Sequence, residues 1–186
     1  MVQARLLWFL EVHSILPSNM TGFRCKLATK DNLLELCSAA DDAKKKSGLA
    51  FLAAFVDVRS AFDIVSPDVV SAQLQKIKVT GRTLRFITDI LNGRATQVRL
   101  GSHLGQLKHC PTGLPQGTVL SPQLFNVVVS GLPEAIPSLS HAVQLTMYAD
   151  NFTIWTVGSR LVQLNRNLQR TLNPIKEYLD SVGLSI

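Results

Sequence analysis

Two apolar runs meet at a polar pair near residue 150, and few features restrict local folding as tightly. Val143, Leu145 and Met147 alternate with polar residues, and Phe152 to Val157 is rich in β-branched and aromatic side chains. Between them lies Tyr148-Ala149-Asp150-Asn151. Period-two alternation marks a strand with one buried face, and Asp-Asn suits a tight reversal between two such strands. The stretch reads as a β-hairpin with Asp150 and Asn151 at its tip. A carboxylate projecting from such a tip is placed to hold Mg²⁺. The plainer reading, a polar turn and nothing more, stays open on this stretch alone.

A second carboxylate follows the apolar run Ala50-Phe51-Leu52-Ala53-Ala54-Phe55-Val56, which ends abruptly at Asp57. A short run without alternation suits a central strand buried on both faces, although its low branching also fits a buried helix segment. Carboxylates where a central strand emerges serve as ligands, catalytic groups or helix caps. Phe62 and Asp63 follow, and the simplest reading makes Phe62 core and Asp63 a cap. Two-metal phosphoryl transfer needs carboxylates from separate elements converging on ions ~4 Å apart. Asp57 and Asp150 would supply such a convergence.

Between them runs Thr112-Gly113-Leu114-Pro115-Gln116-Gly117-Thr118-Val119-Leu120-Ser121-Pro122-Gln123-Leu124-Phe125-Asn126, the most specific stretch of the chain. Gly113 and Gly117 open backbone conformations closed to other residues and permit close approach of another molecule. Ser121-Pro122 reads as the N-cap and first position of a helix with Phe125, Val128, Val129 and Leu132 on one face.

Together these motifs resemble the palm of a reverse transcriptase, specifically those of non-LTR retrotransposons. Phe55-Val56-Asp57-Val58-Arg59-Ser60-Ala61-Phe62-Asp63 is similar to the family's first catalytic motif, Gly113 to Asn126 to its second, and Tyr148-Ala149-Asp150-Asn151 to its third. Thr21-Gly22-Phe23-Arg24 resembles an upstream fingers segment that often reads Gln-x-Gly-Phe-Arg. The resemblance covers nearly everything from Leu6 to Ile186. It implies an α+β polymerase fold, an antiparallel sheet carrying the metal site on packed helices, with residues 1–50 as partial fingers and 51–186 as palm.

The implied activity is RNA-directed DNA synthesis on an RNA template and DNA primer from deoxynucleoside triphosphates, with Mg²⁺ or Mn²⁺. By position, Asp57 and Asp150 would be metal ligands. Phe62 would lie beneath the sugar and exclude a 2′-hydroxyl. Gln116 and Gly117 would lie along the template base and incoming nucleotide, and Arg24 would face the triphosphate. Where the family's third motif ends in two aspartates, this chain has Asn151, which brings no negative charge to a site that depends on it. Met20, Ala28 and Thr118 stand where Gln, Ser and Ser are usual. The sequence ends where the family continues toward a lysine, a primer grip and a thumb, and nothing in it resembles an endonuclease. It reads as a fragment, with a catalytically inactive, nucleic-acid-binding remnant as the alternative.

A length of 186 residues suits one domain, and a net charge of +6 suits a nucleic-acid partner. Cys25, Cys37 and Cys110 fit neither a disulfide framework nor a zinc site, which points to a reducing, nuclear or cytoplasmic compartment. No apolar stretch is long enough to span a membrane. His13, His103, His109 and His141 form no ligand pattern, and Trp8 and Trp155 read as packing residues. Helices are expected from Asp31, as cap, to Lys46, from Ser66-Pro67, and between Gly81 and Asn92-Gly93. Thr96–Leu100 and Leu104–Lys108 read as a hairpin around Gly101-Ser102. A stripe of Leu161, Leu164, Leu168, Leu172, Ile175 and Leu179 forms one long helix, with a bend expected at Pro174.

Overall fold

A computed structural model describes residues 1–136 and 143–186; His141 lies outside the described residues. Its strands are β1 (Ala50–Asp57), the short β2 (Ala95–Thr96), β3 (Arg99–Leu100), β4 (His103–Leu104) and β5 (Lys108–His109), then β6 (Gln144–Tyr148) and β7 (Asn151–Gly158). The centre is an antiparallel sheet in the order β1-β7-β6. Phe152, Ile154 and Thr156 alternate along β7 with Thr153, Trp155 and Val157, so the two sets occupy opposite faces. Phe152 and Ile154, with Leu145, Met147 and Val56, join one continuous core. Seven helices accompany the sheet among the described residues: α1 (Val2–Val12), α2 (Thr29–Lys45), α3 (Ala61–Ile64), α4 (Pro67–Lys76), α5 (Gly81–Leu91), α6 (Ser121–Val129) and α7 (Leu161–Ser181). The α+β architecture expected from the motifs is the one observed.

Several local expectations change. The central strand is β7, while β1 has no strand on its other side among the described residues. Phe55 is 74% exposed, because it shares a face with Asp57 and Asn151, where that end of the sheet is open to water. The reversal falls one residue earlier than the Asp-Asn pair: Tyr148 pairs with Asn151, so Ala149 and Asp150 form the turn. Ala149 takes φ 54°, the positive value that the first position of a tight two-residue reversal requires, and Asn151 becomes the first residue of β7. Finally, the N-cap of α2 is Ala28, and Asp31 acts from the first turn, its Oδ2 accepting the Ala28 N–H at 2.6 Å.

Helix α6 is buried on every side, from Ser121 to Val129 except Pro122, which a single-face reading understates. Its cap is Leu120; Ser121 is the first helical residue, and its Oγ bonds Thr118 Oγ1 at 2.7 Å and donates to the Pro115 carbonyl at 2.8 Å. Helix α4 begins as expected, with Ser66 Oγ accepting the Asp68 N–H at 3.2 Å and Pro67 inside its first turn. Helix α7 buries Leu164, Leu168, Thr171, Ile175 and Leu179 and passes through Pro174, whereas Leu161 stays in water. Tyr178 Oη donates to the Val128 carbonyl at 2.8 Å, joining α7 to α6, and burial pushes its phenol above the ordinary value. Trp155 is buried, but Trp8 is 64% exposed and does not pack into the core.

The segment before α2 clasps the sheet. Thr21 N–H donates to the Met147 carbonyl at 2.9 Å and Met147 N–H to the Asn19 carbonyl at 2.8 Å. A Cβ on Gly22 would stand 2.5 Å from the Ala149 nitrogen, so only glycine lets the two backbones touch there. Gly22→Ala should lower stability by about 1–3 kcal/mol, the scale of overpacking against unyielding neighbours. Denaturant unfolding would measure it, and an unchanged midpoint would disprove the close approach.

Candidate active site

Backbone pairing brings the first and third motifs together. Asp57 stands opposite Asn151 in the β1–β7 register, and Asn151 stands opposite Tyr148 in β6–β7. Directly opposed residues project to one face, so Asp57, Asn151 and Tyr148 form a cross-strand row. Val58 N–H donates to the Asp150 carbonyl at 3.0 Å, fixing the turn against the end of β1. Asp57 and Asn151 are exposed, and Asp150 is half-buried.

The second motif closes over this row. Gly113 N–H donates to the Val65 carbonyl at 2.8 Å, and Leu114 N–H to the Phe62 carbonyl at 2.6 Å. Gln116 Nε2 donates to Asp63 Oδ1 at 2.9 Å. Asp63 therefore lies inside α3 as an anchor for the glycine loop rather than as a cap. Phe62 stacks on Phe125 with ring centres 4.9 Å apart and meets the edge of Phe23 at 6.3 Å. Phe62, Gln116, Gly117 and Asp150 line one open cleft of about 500 Å³, with Phe23, Val119 and Ser121 among its other walls. Asp57 is outside that lining, but Asn151 opposite it and Val58 next to it both bond Asp150, which is part of the wall.

Arg24 is not in the cleft. Its Nε and Nη2 form a two-point ion pair with Glu11, at 2.9 and 2.6 Å, and Nη1 donates to the carbonyls of Pro17 and Met20. Those bonds tie the segment around Gly22 and Phe23 to α1 and to the carbonyls of Pro17 and Met20. Two further positioning residues were not read from the sequence. Asn126 Nδ2, buried in α6, donates to the Gly22 carbonyl at 2.8 Å. Arg94 donates to the carbonyls of Leu91, Thr112 and Gly113, bracing the glycine loop from the end of α5. The available signals were an amide, Asn126, inside the otherwise apolar run 124–129 and a cation just past the Asn92-Gly93 stop.

Two carboxylates and an amide suit one divalent cation better than two. Asn151 Nδ2 donates to Asp150 Oδ1 at 3.1 Å, so the amide presents hydrogen where a carboxylate would present charge. Among the described residues, no three His, Cys, Asp or Glu side chains gather to hold a metal.

The chain thus brings residues of 55–63, 113–126 and 148–151, distant in sequence, together around one cleft. Over residues 1–186 it matches the family described as "Reverse transcriptase (RNA-dependent DNA polymerase)", and it belongs to that family. It is 26% identical over 185 residues to the RNA-directed DNA polymerase from mobile element jockey of Drosophila funebris, covering 98% of this chain and 20% of that protein. It is 34% identical over 147 residues to the Pol polyprotein of retrotransposable element R2 from Popillia japonica, covering 70% and 21%. These relationships make it a reverse transcriptase domain of the non-LTR retrotransposon type, spanning about a fifth of such relatives' length. The fold is also that of apo telomerase from Candida tropicalis, with a TM-score of 0.69 at 12% identity, over 99% of this chain and 35% of that one. Reverse transcriptases act on RNA templates and nucleotides and generally use divalent metal ions. No described helix is long and apolar enough to cross a membrane.

Proposed function

We propose that this chain is the partial fingers, residues 1–50, and the palm, 51–186, of an RNA-directed DNA polymerase. The observation that carries the reading is the shared cleft: residues from all three motifs, distant in sequence, line or adjoin one space. Asp57 and Asp150 would hold Mg²⁺ or Mn²⁺, and a divalent ion there would supply positive charge to a triphosphate and to the primer 3′-oxygen. Phe62, backed by Phe125, forms a rigid shelf under the incoming sugar and leaves no room for a 2′-hydroxyl. Gln116 and Gly117 border the nascent base pair, with Gln116 held in place by Asp63. Arg24 contributes from behind by fixing the Phe23 turn.

A second reading, a nucleic-acid-binding remnant without catalysis, is favoured by one observation, the Asn151 amide bonded to Asp150. Primer extension on an RNA template with Mg²⁺ or Mn²⁺ separates the two, using Asp57→Ala as the blank. Slow extension with deoxynucleotides that vanishes in Asp57→Ala supports the polymerase; product equal in both, or none from either, supports the remnant.

A further inference from the structure

Residues 95–109 stand apart from the rest of the molecule. Two short ladders, β2 with β5 and β3 with β4, form one hairpin around Gly101-Ser102. The register slips by one residue between the ladders, as a bulge does. All fifteen residues are exposed, and they include Val98 at 76%, Leu100 at 80%, Leu104 at 62% and Leu107 at 59%. A lone two-stranded hairpin is marginal in water, and four large apolar side chains left in solvent call for a covering partner.

Charge selects the partner. No Asp or Glu occurs between Asp89 and Glu134, while the hairpin carries Arg99 and Lys108. Arg99 uses its Nε on the Gly101 carbonyl at 3.0 Å; among the described residues its terminal amino groups and the Lys108 ammonium make no bond. A second copy would bring the same cations against these and would be repelled. Both faces carry apolar groups: Val98 and Leu100 share one, and Leu104 lies with Arg99 on the other. A ribbon laid flat on a protein would cover one face, whereas a ribbon in a nucleic-acid groove meets two walls. The major groove of a B-form duplex admits a two-stranded ribbon, the wide and shallow minor groove of an A-form duplex offers a ribbon a comparable surface, and proteins that bend duplexes insert apolar side chains between base steps.

We infer that hairpin 95–109 is an arm that lies in a groove of double-stranded nucleic acid, with Arg99 and Lys108 on phosphates and Leu100 and Leu104 against the groove walls. Its base is tied to the cleft, since Arg94 bonds the Thr112 carbonyl at 2.7 Å and Cys110 N–H donates to the Arg94 carbonyl at 2.8 Å. A duplex held there would be the template–primer product, a placement that rests on the polymerase reading.

The test is fluorescence anisotropy on the full chain with labelled RNA–DNA hybrid, DNA duplex and single-stranded RNA over a salt series. Tighter binding of duplex than of single strand is expected, and the better-held duplex identifies the source. Arg99→Ala with Lys108→Ala should make the log-affinity against log-salt slope shallower by roughly two, at about 0.9 for each phosphate left without its cation. Leu100→Ser with Leu104→Ser should weaken duplex binding about tenfold with the slope unchanged, a change of ~1.4 kcal/mol. These positions are solvent-exposed, and circular dichroism would confirm folding. The inference is overturned if both variants bind like the parent, if the parent binds no duplex, or if the serine variant loses only self-association. Binding needs no chemistry: hairpin-dependent binding without extension overturns the polymerase reading alone, and extension with hairpin-independent binding overturns the arm alone.

Discussion

Asn151→Asp should raise Mg²⁺ affinity at least tenfold and primer extension by about a hundredfold, the scale of one preorganised charge interaction in a transition state. Asn151 faces Asp57 across the β1–β7 pair and bonds Asp150 through its amide nitrogen, so a carboxylate there would adjoin both others. Before metal binds, the change replaces a hydrogen bond by repulsion among three carboxylates. The variant should therefore melt lower than the parent without metal and recover more on adding Mg²⁺. That crossing of melting curves distinguishes a repaired site from a general loss of stability. Metal titration belongs before the rate assay, because extension also depends on how the primer is held. If Asn151→Asp leaves Mg²⁺ affinity unchanged while Asp150→Ala abolishes it, the third carboxylate is dispensable here.

Sequence patterns located the site better than they located its supports. The hairpin at residue 150, the strand ending at Asp57 and the glycine loop were legible because each carries a local signature: alternation, an abrupt apolar-to-acid boundary, and glycines with positive φ. The turn itself was misplaced by one residue, since Ala149 holds a positive φ that Asn would adopt more easily. What holds that strained alanine is tertiary: Gly22 presses its backbone against the Ala149 nitrogen, and Val58 bonds the Asp150 carbonyl. No window of sequence around residue 149 contains either partner.

The same limit explains Arg24. Its place in a segment resembling Gly-Phe-Arg suggested a surface over the triphosphate, but Glu11, thirteen residues earlier in α1, takes its guanidinium. Edge and centre of the sheet were also invisible beforehand, because an apolar run describes burial and not hydrogen-bond neighbours. The all-round burial of α6 follows from its position between α4, α1 and α7, and Asn126 within it became intelligible only through its bond to Gly22.

Gly113→Ala should be the most damaging single-methyl change in the glycine loop, costing about 2–5 kcal/mol and abolishing whatever extension the parent shows. Two costs add. Gly113 has φ 85°, where a side chain costs roughly 1–2 kcal/mol. Its Cβ would also stand 2.7 Å from the Asp63 carbonyl oxygen and 3.0 Å from that of Phe62, which adds overpacking of about 1–3 kcal/mol. Both oxygens belong to backbone, so relief requires moving the loop away from α3. That movement would break the Leu114–Phe62 bond and draw Gln116 from Asp63, opening the cleft along the wall where the sugar and base are proposed to sit. Gly117 offers the control: it has the same φ of 85°, but a Cβ there meets nothing within 4 Å, so Gly117→Ala should cost only the conformational part. Denaturant unfolding of the two variants should differ by the steric cost alone. Equal losses would mean that the glycine loop does not rest on the first motif, and with that the cleft would lose its rigid wall.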